Sequence, residues 1–235
     1  MTTTHSAGHP GTARTRFVIA IDGPSGTGKS TVAKELARRL GAGYLDTGAL
    51  YRLVALAVLR AGVAPEDPAA VAPVLAGLEL RPPLDPDAQQ HLLSGDDVTA
   101  DIRGVPVTQA VTPISAQPQV RTWLHDLQRG TALGGRMVVE GRDIGTVIVP
   151  EADLKIFLTA DEAERARRRH GETSGAAGDV AEVGADLRRR DLVDSTRATA
   201  PLRPADDAEH VDSSSLTVEE VVARILAAAG KRGIR

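Results

Sequence analysis

The chain has no cysteine, which excludes disulfide scaffolds, thiolate zinc sites and a thiol nucleophile, and fits a reducing compartment. It has no asparagine either, so the Asn-Lys-x-Asp segment through which guanine-nucleotide switches read their base is missing. Nor is there an excess of positive charge. With 28 basic against 31 acidic residues the formal net charge is −3, too weak a field to hold a nucleic-acid duplex, so any polyanion site must be local. Only four of the basic residues are lysine, at 29, 34, 155 and 231; an arginine bias of this kind can follow from genome composition and argues nothing alone. Long apolar runs are absent too. The longest, Leu53–Leu59, falls far short of the roughly 20 residues of a membrane-spanning helix, and residues 1–15 carry no apolar segment of signal-peptide length and read as a disordered tail. The expectation is a cytoplasmic protein that engages neither membrane nor nucleic acid.

Of the 235 residues, 42% are hydrophobic and 25% charged, the balance of a folded globular chain with a core of its own. Phe17-Val-Ile-Ala-Ile21 is a short, β-branched apolar run of the kind that lies buried on both faces of a parallel sheet. Beyond it Val32, Leu36 and Leu40 recur at helical spacing, with Gly41 placed for a left-handed C-cap. Gly43–Leu45 predicts a second strand and about 48–61 a deeply buried helix. A further helix is expected over 68–78. Between Leu80 and Arg103, short pieces (91–93, 97–98, 101–102) broken by Asp-Pro and Ser-Gly-Asp signals predict a small antiparallel insert. Residues 105–130 read as helical with a break near Pro118. Met137–Val139 and Leu154–Leu158 predict two more parallel strands, and Val211 belongs to a fifth. The last helix opens on a capping box, Thr217 with Glu220, and is expected to end at Gly230, leaving 231–235 as a tail. Alternating strands and helices predict an α/β fold with both faces of the sheet covered.

Gly23-Pro-Ser-Gly-Thr-Gly-Lys-Ser30 matches the Walker A pattern in its confirming context, a buried strand before it and a helix after it. Such a loop, comprising Gly23, Ser25, Gly26, Thr27 and Gly28, turns backbone N–H groups around phosphate oxygens. Lys29 supplies a mobile charge, and Ser30 or Thr31 a hydroxyl for Mg²⁺. ATP and Mg²⁺ are the expected ligands. A glycine-rich turn without a ligand is the bland alternative.

Ligands of open α/β sheets sit beyond the carboxyl ends of the strands. There the sequence places Asp46-Thr47-Gly48 with Arg52 one turn on, and Gly141-Arg142-Asp143-Ile144-Gly145-Thr146. Arg52 stands among Leu50, Leu53, Val54 and Leu56, where a free charge has little reason to be. Arginines 165, 168 and 169 share one helical face, and spacing alone leaves that run open between a solvated face and a lid. Arg190, Asp194 and Arg197 share another face. Two basic helices flanking a glycine- and alanine-rich stretch suit a lid, about 165–190, that closes over ATP and excludes water. His5 and His9 stand at metal-like spacing but lack further ligands.

GPSGTGKST, LDTGALYR, EGRDIGT and RDLVDSTRATAPL together resemble bacterial cytidylate kinases, from about Phe17 to Leu226. The resemblance implies the nucleoside monophosphate kinase fold: a five-stranded parallel core, a mobile lid, and an acceptor-binding part, about 47–121, that contains the antiparallel insert. It implies a monomer that transfers the γ-phosphoryl group of ATP to CMP or dCMP. By position, Arg52, Arg142 and Arg197 correspond to the family's arginines on the CMP phosphate, Arg190 and Asp194 to its ribose contacts, and Thr112, Arg121 and Asp143 to its cytosine readers. Arg165 and Arg169 correspond to contacts on the ATP side. Thr47 and Thr112 stand where serine is expected; each keeps the hydroxyl and adds a methyl group that bears on the choice between CMP and dCMP. A P-loop kinase for another monophosphate or small metabolite, and a nucleotide-gated binding module without turnover, are the competing readings.

Overall fold

A computed structural model describes residues 14–172 and 179–235. In chain order the elements are β1 (Phe17–Asp22), α1 (Lys29–Leu40), β2 (Gly43–Asp46), α2 (Thr47–Arg60), α3 (Pro68–Ala76), β3 (Leu92–Leu93), β4 (Asp96–Asp97), α4 (Val105–Ala116), α5 (Pro118–Ala132), β5 (Arg136–Gly141), β6 (Leu154–Thr159), α6 (Glu162–Glu172), α7 (Val180–Thr196), β7 (Glu209–Asp212) and α8 (Val218–Lys231). The main sheet runs β2-β5-β1-β6-β7, every neighbouring pair parallel. β1 lies at its centre, with Ile19 beside Val138 of β5 and Leu154 of β6.

The two-residue period of a strand divides the core. Val18 and Ala20 of β1 face the cluster built with α2, α4 and α5, whereas Phe17, Ile19 and Ile21 face the one built with α1 and α8. All six β1 residues are buried, which is why the run reads as continuously apolar rather than alternating. The strand ends on Asp22, at the edge where the glycine loop begins.

Local chemistry sets the helix boundaries. α1 starts after Gly28 (φ +87°) and stops at Gly41 (φ +55°), both left-handed, and the Gly41 N–H donates to the Arg38 carbonyl at 3.2 Å. Asp46 caps α2 through the Ala49 N–H at 2.9 Å. The break between α4 and α5 falls at Gln117, which is extended because Pro118 follows it.

The insert is a hairpin, β3 pairing antiparallel with β4 across Ser94 (φ +53°) and Gly95 (φ +90°), the two positive φ values such a tight turn needs. The strand expected at Asp101-Ile102 is instead one 3₁₀ turn, Asp101–Arg103. Its N–H groups are spent locally: Ile102 donates to Val98 and Arg103 to Ala100, each at 3.0 Å. At the far end α8 does not stop at Gly230 but runs to Lys231, and the left-handed residue is Gly233 (φ +73°). In place of a loose tail over 231–235, Ile234 is buried and the Arg235 carbonyl accepts from Arg136.

Of the expected terminal tail, residues 1–13, with His5 and His9, lie outside the described residues. So do 173–178 of the expected lid. Among the described residues no helix is long and apolar enough to cross a membrane.

Candidate active site

The glycine loop joins β1 to α1 through backbone that a side chain would obstruct. A Cβ on Gly23 (φ +149°) would lie 2.1 Å from the Leu158 carbonyl oxygen. One on Gly26 (φ +78°) would lie 3.0 Å from the Arg165 carbonyl oxygen, so the loop is wedged between β6 and α6. Inside the turn, Thr27 Oγ1 donates to the Pro24 carbonyl at 3.1 Å and Lys29 Nζ donates to the same carbonyl at 2.6 Å. Lys29 is 6% exposed. Burial, reinforced by the Arg142 guanidinium, lowers its pKa to about 7.

Beneath the loop stands Asp22, not singled out from the sequence. Its carboxylate accepts the N–H groups of Ile144 (2.9 Å) and Gly145 (2.8 Å), tying the end of β1 to the segment after β5. Burial raises its pKa to about 6 against the lowering effect of those two N–H groups. Glu140 at the end of β5 is likewise buried and accepts the Tyr44 hydroxyl, and desolvation raises its pKa above the ordinary carboxylate value. The signal in both cases was a carboxylate ending an apolar strand.

The loop opens into a cleft whose walls include Ser25, Gly28, Lys29, Ser30, Thr31, Thr47, Arg52, Thr112, Arg121, Arg142, Asp143, Arg169, Arg190, Asp194 and Arg197. Residues scattered over 170 positions of sequence are thus brought together. Arg142 spans the cleft: Nη2 donates to Ser25 Oγ at 2.6 Å and Nε to Asp194 at 3.0 Å. Arg197 follows α7 and donates to the Ala200 carbonyl (2.6 Å) and to Asp194 (3.3 Å). Its second terminal nitrogen makes no hydrogen bond among the described residues and lies 3.7 Å from Asp143. Among the described residues Arg52 donates to neutral acceptors, the Ile102 carbonyl (2.9 Å) and Thr108 Oγ1 (3.0 Å). Burial and the neighbouring Arg169 bring its pKa down to about 10. Arg190 is shifted down for the same first reason, burial, despite the Asp186 carboxylate beside it. Crowded, partly desolvated guanidinium groups make a strong anion receptor.

At one end of the cleft Arg121 pairs with Asp143 and donates to the Ser115 carbonyl, with its guanidinium 5.5 Å above the ring of Tyr51. Thr112 lines this end, and its carbonyl accepts from Ser115 Oγ at 3.1 Å. Thr47 is buried and donates to the Glu140 carbonyl at 2.7 Å. Tyr51 and Ser115 escaped the sequence reading because a helical tyrosine among leucines and a helical serine read as core and surface.

The arginines of α6 separate. Arg169 lines the cleft, whereas Arg165 turns to the loop, donating to the Ser25 carbonyl at 3.1 Å. Arg168 reaches the Thr27 carbonyl (3.3 Å) and both oxygens of Ser213, at 3.0 and 2.7 Å. Arg165, Arg168 and Arg169 are therefore engaged at the site, whereas Arg167 is the solvated member of the run, 68% exposed at its side chain. Arg168 also borders a second cavity, with Leu216, Val218 and Val221 as its apolar wall; Gly28 and Thr31 line both spaces.

The sequence profile of the family described as Cytidylate kinase matches residues 19–231. A cytidylate kinase of Rhodococcus opacus is 53% identical over 219 residues, covering 92% of this chain and 96% of the relative. One from Nocardia farcinica is 54% identical over 211 residues, covering 88% and 91%. The fold is shared with an uncharacterized protein from Eubacterium ventriosum of known crystal structure, at a TM-score of 0.52 and 11% identity, over 92% of this chain and 99% of that one. With the profile spanning the sheet, the glycine loop and the arginine cleft, and relatives above half identity along nearly their whole length, the chain belongs to the cytidylate kinase family of P-loop enzymes.

Proposed function

We propose that the cleft moves the γ-phosphoryl group of ATP onto the phosphate of CMP or dCMP, giving ADP and CDP or dCDP. The observation that carries this reading is the convergence of Lys29, Arg52, Arg142, Arg190 and Arg197 on one cleft that ends in the Arg121–Asp143 pair. The basic groups suit two facing phosphate chains. The pair, with the Thr112 hydroxyl, offers donors and an acceptor to the O2, N3 and N4 edge of cytosine. Another acceptor base leaves that complementarity unused.

In this reading the triphosphate lies along Gly23, Ser25, Gly26, Thr27, Gly28, Lys29, Ser30 and Thr31. Its adenosine occupies the second cavity, between Arg168 and the apolar wall of Leu216 and Val218. The acceptor lies against the 47–121 segment, its phosphate between Arg52, Arg142 and Arg197 and its sugar toward Arg190 and Asp194. Transfer is in line. An acceptor phosphate oxygen bonds to the γ-phosphorus while the bond to the bridging oxygen breaks, its electron pair passing to the ADP β-phosphate. The acceptor is already an anion, so no strong general base is needed. Asp143 then reads the base, and catalysis rests on positioning and charge neutralisation by Lys29 and the arginines.

The donors near the first turn of α1 are hard oxygens, the Ser30 hydroxyl with Asp46 and Glu140 along the same wall. That set fits Mg²⁺, which keeps water and phosphate oxygens as ligands rather than requiring a protein cage. Ser30 would hold the ion, directly or through water. When bound it neutralises charge on the β- and γ-phosphates.

The test is Lys29→Ala. Loss of one such electrostatic contact costs ~10²–10³ in turnover, so the variant is expected to retain its circular dichroism and melting profile and lose nearly all CDP formation. A folded Lys29→Ala protein with wild-type turnover would refute the assignment.

A further inference from the structure

Ser25, in the middle of the phosphate loop, has every polar atom engaged by residues outside the loop. Its N–H donates to Asp191 Oδ1 at 3.1 Å, its carbonyl accepts from Arg165 Nη1 at 3.1 Å, and its hydroxyl accepts from Arg142 Nη2 at 2.6 Å. Arg165 also forms an ion pair with the second oxygen of Asp191. One carboxylate therefore fixes a loop amide and a guanidinium at once. Charge alone argues against an aspartate at that place. An anion beside a phosphate-binding loop repels the ligand, so its presence calls for a compensating role.

The position of Asp191 on α7 supplies one. It stands one residue beyond Arg190 and three before Asp194, both of which line the acceptor cleft, while Asp191 itself points to the loop. Asp194 in turn takes Arg142 Nε at 3.0 Å and Arg197 at 3.3 Å. Helix α7 is thus tied to Ser25 twice, directly through Asp191 and indirectly through Asp194 and Arg142. The same helix carries acceptor contacts on one side and a loop anchor on the other. Arg165 is 8% exposed at its side chain, and its Nε has no hydrogen-bond partner among the described residues, so Asp191 is the charged group that orients it.

We propose that Asp191 is a positioning residue that couples the two nucleotide sites. It carries the settling of α7 on the acceptor to Arg165 and the phosphate loop, so that the donor phosphates are gripped tightly only when CMP is in place. The inference rests on the proposed reading of donor in the loop and acceptor in the cleft. Its consequence is suppression of phosphoryl transfer to water, because the donor site is completed by the acceptor.

Asp191→Asn keeps an oxygen for the Ser25 N–H and removes the charge that holds Arg165. The affinity of an imido analogue of MgATP is measured with and without CMP in wild type, Asp191→Asn, Arg165→Ala and the double variant, together with kcat and KM for CMP and ATP hydrolysis without acceptor. The wild type is expected to bind the analogue ~5-fold or more tightly with CMP present, and Asp191→Asn to lose that tightening. Its kcat is expected to fall roughly tenfold or more with KM for CMP little changed, its hydrolysis-to-transfer ratio to rise, and the double variant to match Arg165→Ala. Wild-type turnover of CMP alongside an Asp191→Asn protein that keeps both kcat and coupling, a wild-type coupling near unity, or independent effects of the two substitutions would each overturn the proposal. A wild type that makes no CDP would overturn the functional reading itself.

Discussion

The guanidinium of Arg121 and the carboxylate of Asp143 form an ion pair in the wall of the cleft, with side chains 6% and 7% exposed. A pair so buried contributes little net stability, but removing one partner leaves a desolvated charge and costs about 3–5 kcal/mol where nothing else compensates it. Here Arg197 stands 3.7 Å from Asp143 on its other oxygen. Arg121→Ala is therefore expected to destabilise by less than that range, and Asp143→Ala, which takes the carboxylate partner from Arg121 and one of two from Arg197, by more than Arg121→Ala. Urea unfolding of the two variants measures the order. The reverse order would contradict the electrostatic account.

The same pair sets base choice. A site built to hydrogen-bond a polar edge rejects an analogue that leaves it unpaired, so CMP is expected to exceed UMP by ~10³-fold or more in kcat/KM. Arg121→Ala is expected to narrow that ratio chiefly by slowing CMP. An unchanged ratio would remove Arg121 from base recognition.

Lys29 links nucleotide binding to pH. In the free protein its pKa lies near 7, depressed first by burial and then by Arg142. A triphosphate beside the ammonium favours the charged form, so binding at pH 8 takes up a proton, and affinity weakens as pH rises above 7. Calorimetric titration of MgATP in buffers of different ionisation enthalpy should show an uptake approaching one proton, absent in Lys29→Met. Equal uptake by both proteins would contradict the assignment.

Asp22 gives folding a slope of the same sign, at lower pH. Its pKa is about 6 in the native state against the ordinary 3.8. Between those values the native state holds the extra proton, so this contribution is full below pH 3.8 and is lost as pH rises through 6. The stability of wild type relative to Asp22→Asn should be greater at pH 4.5 than at pH 7.5, by on the order of 2 kcal/mol. Urea unfolding at the two pH values tests it, and a larger difference at pH 7.5 would reverse the sign.

Two glycines should respond oppositely to alanine. Gly23→Ala drives a Cβ into the Leu158 carbonyl at a positive φ, a combination costing ~3 kcal/mol or more and lowering the melting temperature by roughly 6–12 °C. Gly130 lies inside α5 with nothing within 4 Å of an added Cβ, so Gly130→Ala should stabilise by about 1 kcal/mol. Equal melting temperatures for the two variants would show that the clash at Leu158 is relieved.

Much of the architecture is legible in the sequence where a single period dominates. The run Phe17–Ile21, the Gly41 cap and the Thr217–Glu220 capping box each appear as read. Where local hydrogen bonds compete with periodicity the reading fails. Asp101-Ile102 looks like strand but closes a 3₁₀ turn through Val98 and Ala100, and the terminal Ile234 finds a buried place that no periodicity announces. At the site, motif residues were visible because phosphate chemistry demands glycine, lysine and arginine at fixed places. Asp22, Glu140 and Asp191 were not, since their roles exist only once β1, β5 and α7 converge on one loop.

The central claim is acceptor-dependent transfer, and the direct measurement is ADP formation from MgATP with CMP, dCMP, UMP and AMP as acceptors, each against a control without acceptor. Fast turnover with CMP and dCMP, slow turnover with UMP and AMP, and little hydrolysis in the control is the predicted result. Tight ATP binding with no acceptor-dependent turnover, or equal use of all four monophosphates, would contradict it.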